Sequence, residues 1–340
     1  MAVAELSGLS ERDRTVLTRK PRSLFSDSVA RLRKNKAAMT GIVFLVLMIL
    51  LAVLAPWITT GDYAHQDLAL NNAIPPWMLF LLPQGAENYA NVTPEARPVG
   101  FDDLGRDLWT RAIYGARVSL AVAVVAATVS LVIGTIYGLV SGYLGGWADN
   151  LMMRIVDFLY GFPFLIVVIL LQTYFKALAR RGEAGGIGQV IVDINNTMGG
   201  LFFLFIAIGL INWLGLARIA RGQVLSVREK EYVEAARAVG SPNLRIIFRH
   251  IMPNIIGPLI VYESLAIPGY IFLEAFLSFI GLGVDPPTPS WGIMISEAGR
   301  AIRSYPNQIL VPAIALTLTT LAFNFMGDGL RDAFDPRLKQ

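Results

Sequence analysis

Runs of apolar residues separated by short polar connections dominate this chain, and six of them approach the length of a membrane-spanning helix. A span needs roughly 20 mostly apolar residues, because a helix satisfies its own backbone hydrogen bonds while crossing about 30 Å of hydrocarbon. The six runs cover residues 37–58, 118–138, 158–174, 200–217, 254–281 and 308–326. The pattern predicts an all-α, polytopic membrane protein with six transmembrane helices. A tail over 1–36 precedes the first span, and a long connection over 59–117 follows it. A five-helix core over 118–326 and a tail over 327–340 complete the chain. A further run, 77–82, is bracketed by Pro75, Pro76 and Pro83, is too short to span, and reads as an interfacial patch.

Composition agrees with lipid as the natural solvent. The chain is 54% hydrophobic and only 16% charged, against about 25% charged residues in soluble domains. With no cysteine there are no disulfides, thiol catalysis or Cys-based zinc sites, and His65 and His250 are too few and too far apart for a metal motif. The net charge of +4 does not point to nucleic acid, because the basic residues flank the apolar runs instead of forming one polar domain. With the N-terminus inside, the inner segments hold 9, 1, 7 and 3 Lys and Arg, and the outer ones 4, 3 and 2. This asymmetry predicts both termini in the cytoplasm, although Lys176, Arg180 and Arg181 run mildly against it. A cleavable signal peptide is not expected, since the first apolar run starts only at Ala37 and is longer than a signal core. Ahead of it, Phe25, Val29 and Leu32 recur at helical spacing among Arg22, Arg31, Arg33, Lys34 and Lys36. That pattern suits either a helix lying in the inner interface or a solvated basic tail.

The connection over 218–252 is long and polar in a chain that otherwise spends few residues there. From about Ser226 it is rich in helix formers up to Gly240, the residue that best tolerates a left-handed C-terminal cap. Ser241 then offers an N-cap oxygen and Pro242 a first helical position, so a second helix should begin at once and run towards His250. Helix, glycine turn and helix make a knob. Ala235, Ala236 and Ala238 give it low relief, with Glu234, Arg237 and Arg245 at its rim. A plain loop hairpin has the same pattern. In the second span, Gly134, Gly138 and Gly142 clear one helix face for close packing. No phosphate loop of the form GxxxxGK[ST] occurs, so any ATP must be handled by a partner.

The run EAARAVGSPNLRIIFRHIMP resembles the cytoplasmic signature of bacterial binding-protein-dependent ABC importer permeases, with Glu234, Ala235, Ala236 and Gly240 at the defining positions. His250 stands where the general pattern has Ile, and Arg249, His250, Ile251, Met252 and Pro253 are similar to the ending of the peptide-importer branch. The strings GFDDLGRDLWTRAIYGARVSL, GYLGGWADNLMMRIVD, EAFLSFIGLGVDPPTPSWG and GDGLRDAFDPRL also resemble, in order, the C-type subunits of dipeptide, oligopeptide and nickel permeases. Phe101 replaces the usual Thr, and the outer connection over 60–99 is longer than usual. The resemblance implies a type I ABC importer permease fold and localisation in the bacterial inner membrane. It implies a homologous B-type permease, one or two cytoplasmic ATPase subunits and an extracytoplasmic substrate-binding protein as partners. ATP and Mg would be bound by the ATPases, with no cofactor on this chain. Energy coupling would pass through Glu234, Ala235, Ala236, Arg237, Gly240, Ser241, Pro242 and Arg245. The substrate would be a di- or oligopeptide; a nickel chelate or another small solute is the alternative.

Glu263 and Glu274 fall inside the fifth apolar run, where an acidic side chain costs several kcal/mol unless paired, hydrated or protonated. Their spacing puts both on one helix face, about 16 Å apart. Each either lines the route, where Glu263 would meet a substrate cation, or is satisfied by neighbouring helices; Glu274 stands in the EAFLSFIGLG string, which resembles a packing motif of the family. Arg154 and Asp157 read as a local charge pair or interface anchors. A secondary transporter would use such carboxylates for proton coupling, but it leaves the knob unexplained and the chain shows no repeated half. A receptor or scaffold would need a soluble domain.

Overall fold

The computed structural model describes residues 24–59, 61–85, 90–93, 98–181 and 186–334. Residues 1–23, with Arg22 and most of the expected N-terminal tail, and residues 335–340 lie outside the described residues. Those described form helices and no strand: α1 (Leu24–Leu32), α2 (Lys36–Ile58), α3 (Leu108–Leu144), α4 (Gly146–Tyr160), α5 (Phe164–Arg181), α6 (Ile187–Thr197), α7 (Leu201–Arg228), α8 (Glu231–Ala238), α9 (Asn243–Ile246), α10 (Met252–Phe279), α11 (Trp291–Ala298) and α12 (Asn307–Phe334). Among the described residues, five helical segments are long and apolar enough to cross a membrane, or six if α4 and α5, bent by 78° at the break between them, are one span.

The helices overrun the apolar runs, for identifiable reasons. Asp107 caps α3 well before residue 118: its carboxylate accepts from the Trp109 N–H at 3.0 Å and the Thr110 hydroxyl at 2.7 Å. The first turns of α3 are thus covered by protein, and lipid hydropathy does not register them. The third apolar run is not one helix. Pro163 breaks the ladder after Gly161, and α5 begins at Phe164. Helix α7 continues beyond 217 to Arg228, and α12 beyond 326 to Phe334.

The glycine face of α3 packs on α7. A Cβ on Gly134 would lie 2.9 Å from the Trp213 carbonyl oxygen, one on Gly138 2.6 Å from the Ala220 Cβ, and one on Gly142 2.9 Å from the Val224 Cβ. Both ends of the described chain meet at one pole of the bundle, where Gly329 touches Ala38 and Leu32, and the Phe334 ring covers Gly257. Helix α1 therefore rests on α12. At the opposite pole, the connection before α3 folds over the bundle. The Gly105 backbone, at φ +68°, passes directly beneath the Asp67 carbonyl, a path closed to any side chain. Arg106 donates to Asp102 at 2.7 Å and to Glu297 at 2.9 Å, and Arg111 donates to Glu297 at 2.6 Å, tying this connection to α11. The 76–81 segment is a 3-10 turn with Met78 buried and Trp77 and Phe80 exposed. Lys176, which ran against the charge asymmetry, is held by the Gly283 carbonyl at 2.6 Å and Asp285 at 3.1 Å.

Candidate functional site: a helical knob on a clamped base

At the Phe334 pole, α7 stops at Arg228, the chain turns at Glu229, and α8 begins only at Glu231. Ser226 to Arg228 therefore belong to the fourth span and not to the knob. The Lys230 carbonyl accepts from Val233 at 2.8 Å and Glu234 at 3.1 Å, starting α8 without a side-chain cap. Val233 and Ala236 face inward onto Leu216, Ala220, Val224, Ile246 and Ile251. Ala236 is thus buried, and its place on the exposed relief passes to its neighbours: one helical turn on from Val233, it shares the core stripe.

Gly240 ends α8 at φ +75°. Its N–H donates to the Arg237 carbonyl at 3.0 Å, and the Ser241 N–H to the Ala236 carbonyl at 3.1 Å, the paired bonds of a Schellman cap. Ser241 is not the N-cap of the next helix. Pro242, extended at φ −65° and ψ 147°, occupies that position, and its carbonyl accepts from Arg245 at 2.9 Å and Ile246 at 3.1 Å. Helix α9 is a single turn, followed by a wide π turn over Ile247–Ile251 that runs straight into α10. Pro253 has no N–H to donate, and the widened turn just before it re-satisfies the backbone. The second arm of the knob and the fifth span are one rod, Asn243–Phe279.

Glu234, Ala235, Arg237, Gly240, Pro242 and Arg245 are all exposed on the knob. Among them stand three apolar side chains that sequence reasoning missed: Val239, 81% exposed, Leu244, 70%, and Phe248, 63%. Their signal was present as large apolar residues in a charged connection, off the Val233–Ala236 stripe. Such a cluster rimmed by charge has the composition of a contact surface.

The base is clamped by α7 arginines. Arg221 makes two bonds of 2.6 Å to the buried Asp149, which also accepts from Ser141 at 2.5 Å. Arg228 donates to the Gly142 carbonyl at 2.9 Å, and the Tyr143 hydroxyl to Asn243 in the knob at 2.8 Å. Asp157 pairs with Arg218 at 2.6 Å and not with Arg154, the local charge pair that is one of its two sequence readings. Arg218 also lies over the Tyr160 ring at 4.1 Å.

Glu263 and Glu274 are remote from the knob, inside the bundle. Glu263 is 4% exposed and accepts from Ser130 on α3 at 3.0 Å and Tyr270 at 2.7 Å. Glu274 is fully buried and accepts from Ser119 at 2.8 Å and Ser278 at 2.7 Å. Both are met by hydroxyls from within the chain. Neither lies on an open surface.

Residues 134–340 match the family described as binding-protein-dependent transport system inner membrane component, and residues 23–76 match the N-terminal transmembrane domain of oligopeptide transport permease C. The chain belongs to this family of multi-pass inner membrane proteins. It is 42% identical over 316 residues to the oligopeptide transport system permease protein OppC of Haemophilus influenzae, covering 93% of this chain and 89% of that one. It is 39% identical over 328 residues to OppC of Bacillus subtilis, covering 96% and 94%. To the dipeptide transport system permease protein DppC of Bacillus subtilis it is 39% identical over 319 residues, covering 94% and 87%.

Proposed function

We propose that this chain is one of two non-identical permease subunits of an ATP-driven importer for di- and oligopeptides, and that it receives mechanical work from a cytoplasmic ATPase at the knob. The observation that carries the reading is the exposed Val239, Leu244 and Phe248 cluster, edged by Glu234, Arg237 and Arg245, on a rod continuous with α10. A partner's apolar groove would bury the cluster, and the rim charges would fix its register.

The geometry explains how displacement reaches the membrane. The Schellman cap fixes α8 against α9, and the shared core of Val233, Ala236, Ile246 and Ile251 makes them move together. Because α9 runs into α10, tilting the knob tilts the helix that carries Glu263 and Glu274. Their hydroxyl partners on α3 couple that motion to the Gly134–Gly142 face and α7. ATP binding would draw the ATPases together and switch the route between its two openings. The two ends of the described chain, Leu24 and Phe334, share the knob's pole and would then lie on the cytoplasmic side. A peptide substrate is supported by the similarity to oligopeptide and dipeptide transport permeases. The test is reconstitution in vesicles with the neighbouring permease, ATPases and binding protein: peptide uptake should require ATP, and this chain alone should hydrolyse none. ATP hydrolysis by the isolated chain, or uptake without ATPases, would overturn the reading.

A further inference from the structure

Arg117 stands apart from every ion-paired arginine of the bundle. It lies on α3 where the apolar run begins at Val118, and it forms no ion pair with a described residue. Its guanidinium sits over the Tyr114 ring at 5.6 Å, and Tyr114 in turn packs against Tyr63 at 4.8 Å. Two cavities meet at this side chain and at Ala121, one turn further along α3. One, about 300 Å³, is edged by Tyr63, Tyr114 and Thr288. The other, about 480 Å³, is a groove between α2 and α3 lined by Ile49, Ala52, Val53, Leu120 and Val124.

We propose that this pair of cavities is a site for a single phospholipid, its phosphate on Arg117 and one acyl chain in the groove between α2 and α3. A guanidinium at the edge of the hydrocarbon with no acidic partner among the described residues suits an anion, and tyrosines are the side chains suited to head-group depth. Arg117 apart, the groove is lined by apolar side chains, and the small Ala52 and Ala121 recess its floor. An apolar helix of another subunit would fill the groove but leave the charge unmet. A phospholipid supplies both chemistries in one molecule, in the leaflet that meets the Leu108 end of α3.

The test is native mass spectrometry of the full-length chain with the subunits that co-purify with it, delipidated and titrated with dioleoyl phosphatidylglycerol. Dioleoylglycerol, which lacks the phosphate, and glycerol 1-phosphate, which lacks the chains, serve as the two halves. One retained phosphatidylglycerol is expected, with affinity reduced about fivefold by Arg117→Gln, kept by Arg117→Lys, and reduced by Ala121→Leu, which fills the groove. Both half-ligands should bind far more weakly. Undiminished binding to a folded Arg117→Gln protein, equal binding of either half-ligand, or no lipid adduct because another subunit covers the groove would each overturn the proposal.

Discussion

The Ser241 N–H reaches back to the Ala236 carbonyl at 3.1 Å, across a glycine held at φ +75°. With the Gly240 N–H on the Arg237 carbonyl, this bond sets the angle between the arms of the knob. Beyond Gly240 and its two chain neighbours, no described atom lies within 4 Å of where a Gly240 Cβ would be, so a substitution is opposed by the backbone and not by crowding. Left-handed backbone costs an L-residue about 1–2 kcal/mol, and a β-branched residue more. Gly240→Val should therefore insert and assemble as a membrane protein but lose most ATPase retention and uptake, with Gly240→Asn intermediate. Parallel measurement of membrane yield and retained ATPase checks this.

The clamp at Asp149 and Arg221 predicts a stability effect with a rescue. Arg221→Gln leaves a buried carboxylate with only Ser141, a loss of about 2 kcal/mol, below the 3–5 kcal/mol of a fully buried pair because Arg221 is partly exposed. Adding Asp149→Asn should restore much of it. Thermal denaturation in detergent of both single variants and the double variant reads the coupling.

Contact between α3 and α7 predicts opposite outcomes for two glycines. At Gly138 a new side chain would meet Ala220 and the Arg221 nitrogen, at 2.6 and 2.8 Å for the Cβ alone. Gly138→Leu should destabilise by at least the 1–3 kcal/mol typical of overpacking. At Gly222, with open space around it, Gly→Ala should be neutral or stabilising by up to about 1 kcal/mol. The difference in melting temperature checks the pair.

Glu263, buried against Ser130 and Tyr270, is expected to act as a structural acceptor. Glu263→Gln should lower yield or thermal stability while leaving the ratio of cationic to neutral peptide uptake unchanged. A changed ratio at normal stability would place the carboxylate on the route.

Apolar runs revealed the spans because lipid enforces them, but they revealed helix ends poorly. The first turns of α3 are capped by Asp107 and sheltered by the preceding connection, a circumstance hydropathy does not register. The break at Pro163 was written in the Gly161–Pro163 signal, yet the apolar run continues straight through it. In the knob, Gly240 announced its turn through its own chemistry. The inward side of Ala236 was visible only through its spacing from Val233, and Ser241 lost its capping role because its N–H serves the preceding helix. Val239, Leu244 and Phe248 became conspicuous once the fold showed that nothing in the described chain covers them.

The central claim is that the exposed apolar cluster is where ATPase motion enters this chain. The most direct measurement is ATP-driven peptide uptake by reconstituted vesicles carrying Val239→Glu and Leu244→Glu together, with ATPase retention read from the same vesicles. These side chains lie outside the core, so the chain should reach the membrane at normal levels. ATPase subunits should dissociate and uptake should fall at least tenfold, the loss expected when about 1.4 kcal/mol or more of docking energy is removed. Unchanged retention and uptake, at normal levels of the chain, would contradict the account.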